Sequence, residues 1–167
     1  MSMSIGLKPI VPDKLPILDV DGAKDHYARA LNVVIEKADD DFAETTRTWK
    51  TKPSFVLRKA SAANLKAVVY TTNEIYFYVV RGTRAHPIAA KSGGMLRFRA
   101  GYRAKTRPGV IRSYSGGGFG RSIYARQVRH PGTKARDFDK AIANRLKTAL
   151  TTEMRLANKR IAQSTQR

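Results

Sequence analysis

From Ile75 to Arg136, 62 consecutive residues carry 14 Lys and Arg and not one Asp or Glu. A segment of one sign repels itself as it compacts. Its fold therefore needs cover from outside: a polyanion, an acidic neighbouring protein, or salt. The rest of the chain does not share this bias. Met1 to Glu44 holds five basic and nine acidic residues, Thr45 to Glu74 six and one, and Asp137 to Arg167 seven and three. A solvated basic face is the bland alternative. The dominance of Arg and the complete lack of acid weigh toward an anionic partner. Attraction to phosphate carries no base-sequence information, so the charge does not predict sequence-specific reading of DNA.

The 167 residues suffice for one domain whose core stands without disulfides or a structural metal. Cysteine is absent, which removes disulfides, thiol catalysis and Cys-based metal sites. No apolar run is long enough to span a membrane, and Met1 to Pro12 lacks a basic start followed by an apolar stretch, so neither a membrane segment nor a leader is expected.

Pro9, Pro12 and Pro16 make residues 1–21 an extended arm. Asp21 is a candidate cap for a helix over Gly22 to about Ala38. There Ala23, Tyr27, Ala30, Leu31, Val34 and Ile35 recur at helical spacing. Asp39-Asp40-Asp41 suits a helix C-terminus badly, because the dipole disfavours anions there, so the helix is expected to end at that point. Residues 54–59, 66–71 and 74–81 read as strands, the last rich in aromatic and β-branched residues. The second and third are expected to pair as a hairpin across Thr72-Asn73. Residues 95–99 alternate as a short strand.

Residues 100–121 read as a long mobile basic loop or a hairpin projection. In it and just before it, Arg97, Arg99, Arg103, Lys105, Arg107, Arg112 and Arg121 interleave with Tyr102, Tyr114 and Phe119. These are the candidate contacts to a partner or to DNA. Ser122 to Arg129 reads as a last strand. A final helix from about Asp137 to Ala162 carries Phe138, Ile142, Leu146, Leu150 and Met154, and residues 163–167 read as a flexible tail. The predicted class is α+β: an N-terminal helix, a small antiparallel sheet with the loop insertion, and a long C-terminal helix, in one domain over 22–162.

Tests for catalytic chemistry come out weak. His26, His86 and His130 show no metal-ligand spacing, and no carboxylate between Glu74 and Asp137 completes a shell. The run Ser115 to Gly120 lacks the Lys and the following helix of a phosphate loop, so its glycines point to flexibility or close backbone approach. Ser113, Ser115 and Ser122 have no nucleophile elbow. No catalytic residue, cofactor or metal is expected. His86 and His130 each precede proline and are expected to hydrogen-bond within turns.

Two blocks carry a resemblance. The first is Val79-Val80-Arg81-Gly82-Thr83-Arg84-Ala85-His86-Pro87-Ile88, followed by Lys91 and by Met95-Leu96-Arg97-Phe98. The second is Val128-Arg129-His130-Pro131-Gly132-Thr133-Lys134-Ala135-Arg136-Asp137-Phe138. Together, over about residues 75–140, they resemble the HK97 gene-product-10-like family, the tail-completion and head–tail connector proteins of tailed bacteriophages. Ala85 stands where that family often has proline. The resemblance implies a non-catalytic structural protein of the virion neck, assembled in the host cytoplasm into a ring, usually a hexamer. Such a ring joins a head-completion or portal-side protein to the tail terminator or tail tube and passes phage DNA through its lumen. It further implies that Gly82 and Gly132 shape the turns, that His86 and His130 pin the loops bearing Pro87 and Pro131, and that Phe138 anchors the last helix to the sheet. The residues alone leave two alternatives: a stand-alone nucleic-acid-binding module using the same arginines and tyrosines, and a ribosome-like or nucleoid-like basic protein.

Overall fold

The computed structural model describes residues 3–7 and 20–164. The elements are β1 (Met3–Leu7), α1 (Val20–Thr46), β2 (Val56–Arg58), β3 (Ala67–Thr71), α2 (Glu74–Arg81), β4 (His86–Ala89), β5 (Leu96–Arg99), β6 (Tyr102–Arg103), β7 (Gly117–Gly118), β8 (Ser122–Ala125), β9 (Gln127–His130) and α3 (Phe138–Ser164). A 3-10 turn lies at Lys91–Gly93. The fold is α+β with an N-terminal helix, small antiparallel sheets and a long C-terminal helix. Of the expected arm, Met3–Leu7 is a strand and residues 8–19 lie outside the described residues, as do 165–167 of the expected tail. The chain divides into two compact units. One comprises Met1–Ala43, Ser54–Thr72 and Asp139–Arg167; the other comprises Glu44–Pro53 and Asn73–Phe138.

In the first unit, β3 is the central strand, antiparallel to β1 on one side and β2 on the other. Its alternation buries Ala67, Val69 and Thr71 on one face. Helix α1 buries Ala30, Leu31, Val34, Ile35 and Ala38, and α3 buries Ile142, Leu146, Ala157 and Ile161. Tyr27 to Asn158, Lys37 to Glu153 and Asp41 to Arg145 link the two helices in antiparallel order. A strict four-residue repeat drifts around a helix of 3.6 residues per turn. Leu150 and Met154 are accordingly only half-buried, and burial resumes at Ala157, about three turns past Leu146.

Helix α1 does not end at the three aspartates. It runs on to Thr46 because tertiary partners outweigh the dipole. Phe42 is buried and stacks on Phe55 with ring centroids 4.8 Å apart, and Asp41 accepts from Arg145 at 2.8 Å. Burial pushes the Asp39 carboxyl up, and the neighbouring Asp40 adds to it; burial also raises Asp41, with Arg145 pulling it back. A raised native pKa means that the folded chain binds protons at a pH where the unfolded chain has released them. Stability from these groups is thus present at low pH and falls as pH rises through the window just above 3.8. Asp39→Asn is expected to raise the thermal midpoint at pH 7 by on the order of 1 °C and to leave it unchanged at pH 3, as scanning calorimetry can read.

In the second unit, residues 74–81 form a helix, not a strand, and no hairpin joins them to 66–71. Tyr76, Phe77 and Val80 are buried while Ile75 and Tyr78 are exposed, a helical face that alternation cannot produce. Asn73, expected in a turn, caps the helix: its side-chain oxygen accepts from the Tyr76 N–H at 2.9 Å. Glu74 in the first turn and Arg81 in the last complement the dipole. At the other end, the Arg136 and Asp137 N–H groups donate to the Val80 carbonyl, and Arg136 also to Val79. Tyr76 is the hub of an aromatic cluster, with the rings of Trp49, Phe138 and Phe77 between 6.2 and 6.4 Å from its own. Phe138 is fully buried, and the ring it meets, that of Tyr76, is on α2. Asn73→Ala is expected to cost about 1 kcal/mol, measured as a lower denaturant midpoint.

Candidate functional site

The whole acid-free segment after α2 folds as one long two-stranded ribbon. The pairs Thr83↔Thr133 and His86↔His130 through Ala89↔Gln127 share one register. Opposite Ala85 the ladder has a gap, as Pro131 has no N–H to give. The 3-10 turn at Lys91–Gly93 then extends one side only, and pairing resumes from Leu96↔Ala125 to Arg99↔Ser122. Ala100 bonds to both Gly120 and Arg121, a bulge that shifts the register by one. Beyond it come Tyr102↔Gly118, Arg103↔Gly117 and Thr106↔Ser113. At the tip, Pro108-Gly109 makes a tight turn with Gly109 at φ 68°. The expected last strand, Ser122 to Arg129, is interrupted at Arg126 into β8 and β9.

Residues 100–121 are therefore paired, not a free loop, and their tip is tied down. Ser113 Oγ donates to the Glu44 carbonyl at 2.9 Å, Thr48 Oγ1 to Tyr114 O at 3.0 Å, Lys105 Nζ to Thr48 O at 2.7 Å, and the Gly109 N–H to Arg136 O at 2.9 Å. The glycine run serves close approach: a Cβ on Gly118 would stand 2.5 Å from Arg99 Cβ.

The two blocks singled out in the sequence meet at the base of this ribbon. Thr83 and Thr133 exchange backbone bonds of 2.9 and 3.1 Å, and the Thr133 N–H also reaches Thr83 Oγ1 at 3.0 Å. Gly82 (φ 76°) and Gly132 (φ 90°) flank this clasp. A Cβ on Gly82 would come within 2.5 Å of Thr133 O, and one on Gly132 would collide with Thr83 O, so only glycine fits both the dihedral and the space. His86 Nδ1 sits 2.8 Å from the Arg84 carbonyl, and the Gly132 N–H donates to His130 Nδ1 at 3.0 Å. These partners place the proton on Nδ1 of His86 and leave Nδ1 of His130 bare. The two rings face each other with centroids 5.1 Å apart. Pro87 and Pro131 are both exposed beside them. Among the described residues, no group of three His, Asp or Glu side chains is placed to hold a metal.

Further along, strand alternation sorts the ribbon into two faces. Arg97, Arg99, Ser122 and Tyr124 share one; Leu96, Phe98, Ile123 and Ala125 share the other. Guanidinium groups lie over rings: Arg97 over Tyr124 at 5.9 Å, Arg103 over Phe119 at 5.4 Å, and Arg107 and Arg112 over Tyr114 at 4.8 and 5.9 Å. Stacking of this kind holds the guanidinium plane while leaving its N–H edge free for a carboxylate or phosphate. These arginines and Arg121 are exposed, and Lys105 is half-buried. Among the described residues, no carboxylate pairs with any of them. Tyr102 differs from Tyr114 and Phe119 in having no guanidinium over it among the described residues, and it is 73% exposed.

Two residues near the ribbon, Trp49 and Lys50, carry no motif, and Arg136 belongs to the second block without having been singled out. Trp49, Lys50 and Arg136 line one cleft of the second unit together with Tyr102, Lys105 and His130. The available signal was that the chain's one Trp stands in a polar stretch, Thr48 to Thr51. Comparison with protein-family models, with curated proteins and with solved structures finds no match to this chain.

Proposed function

We propose that the chain is a non-catalytic structural subunit of a phage neck, a tail-completion or head–tail connector protein that assembles as a ring and lets DNA pass. The observation that carries this reading is the register of the ribbon base. Thr83 and His86 of the first block pair with Thr133 and His130 of the second in one register, so the two runs that carry the resemblance form one structural feature. The ribbon above it supplies what a ring subunit needs where it meets its neighbours. It is an exposed arginine face, without internal carboxylates, that an acidic neighbour or the genome neutralises. Partners on this reading are further copies of the chain, a head-completion or portal-side protein, the tail terminator or tube, and DNA in the lumen.

Removal of the gene from a tailed phage tests the proposal. Filled heads and finished tails should accumulate unjoined, and adding the purified chain should restore joining. Normal virions from the deleted phage would reject it. The arginine–aromatic stacking favours a second reading, a nucleic-acid-binding module, whose mark is a steep loss of affinity with salt and no effect on particle joining.

A further inference from the structure

We infer that the cleft beside the ribbon, about 350 Å³ in volume, seats one nucleotide unit, a planar base with its phosphate. The inference stands or falls independently of the neck reading. The volume lies at the low end for clefts that hold small ligands. Among the described residues its lining holds three cations, Lys50, Lys105 and Arg136, and no carboxylate. Lys105 is fixed by its bond to Thr48 O, which leaves two ammonium N–H groups for a ligand oxygen. His130 accepts at Nδ1 from Gly132, so its Nε2 is a further N–H donor at the cleft wall.

Charge alone fits any anion, an acidic peptide included. Two aromatic side chains in the lining separate the cases. Trp49 is half-buried, its ring 6.2 Å from that of Tyr76, so it is held in place. Tyr102 is the most exposed large hydrophobic side chain of the ribbon, and among the described residues no guanidinium lies over its ring. A base has a flat apolar face to lay on such rings, and a carboxylate side chain does not.

The single Trp makes the site its own reporter. Full-length protein is titrated with deoxyadenosine monophosphate while Trp49 fluorescence is followed. Saturable quenching is expected. Tyr102→Ala should weaken it about tenfold, whereas the ribbon variant Arg97→Ser with Arg121→Ser should bind the mononucleotide as the parent does. Tyr102 is exposed, so its loss leaves the fold intact, as circular dichroism will verify. A short oligodeoxythymidylate separates the two sources of the ligand. Tighter binding that still depends on Tyr102 indicates a nucleotide within a strand, and equal binding indicates a free nucleotide; both uphold the seat. Absence of quenching, equal quenching by inorganic phosphate or by an oligoglutamate peptide, or indifference to Tyr102→Ala overturns it.

Discussion

Gly132→Ala is expected to lower the stability of the second unit by about 3–5 kcal/mol, a large share of the roughly 5–15 kcal/mol that holds a domain together. Two costs add. The residue sits at φ 90°, where a side chain is strained, and its new Cβ would run into the Thr83 carbonyl oxygen and stand 2.9 Å from the carbonyl carbon of Arg84. Both obstacles are backbone, so neither can swing aside as a side chain would. Relief requires opening the Thr83–Thr133 clasp, and with it the base of the ribbon. Gly109→Ala is the matched control. Its φ is 68° and nothing lies within 4 Å of the added carbon, so it should cost only about 1–2 kcal/mol. Trp49 lies in the same unit, and its fluorescence during denaturant unfolding reads both variants. Equal midpoints for the two would show that the clasp is not packed as described.

Replacing Arg97, Arg99 and Arg121 by Ser is expected to weaken binding to a polyanion by about two orders of magnitude at low salt. On duplex DNA, the slope of log affinity against log salt should shallow by about 0.9 for each phosphate that the variant no longer neutralises. All three side chains are exposed and none is paired with a carboxylate among the described residues, so stability should hold or rise as mutual repulsion falls. The control removes the same charge from α3, with Lys147, Arg155 and Lys159 changed to Ser. If the control loses as much affinity as the ribbon variant, binding follows net charge and the ribbon is no special surface. Filter binding or anisotropy across a salt series makes the comparison.

Periodicity made the long helices legible. The stripe of Leu31, Val34 and Ile35 and that of Phe138, Ile142 and Leu146 each report a local geometry that any partner surface would preserve. The end of α1 was not legible. Asp39 to Asp41 oppose the dipole, and what overrides it is Arg145, 104 residues on, together with the Phe42–Phe55 stack. Residues 74–81 misled for a different reason. Their β-branched and aromatic side chains favour a strand, and the helix is decided by the Asn73 cap and by burial of Tyr76, Phe77 and Val80 in an aromatic cluster assembled from distant segments.

The candidate surface was legible as composition but not as form. The lack of acid from 75 to 136 marked the segment, and the two His-Pro blocks marked its base. The pairing of Thr83 with Thr133 depends on matching two runs far apart in the chain, and no local pattern encodes it. Trp49 stayed invisible, and Arg136 showed only as part of the second block, because each belongs to the cleft only through the ribbon's path back along the second unit.

Electron cryomicroscopy of tailed particles from the source of the chain is the most direct test of the neck assignment. The assignment requires a closed ring of this chain between head and tail, with the arginines of β5 and of the Gly101–Arg121 segment set against acidic protein or the DNA in the lumen. Particles joined and complete without this chain at the head–tail junction would contradict it.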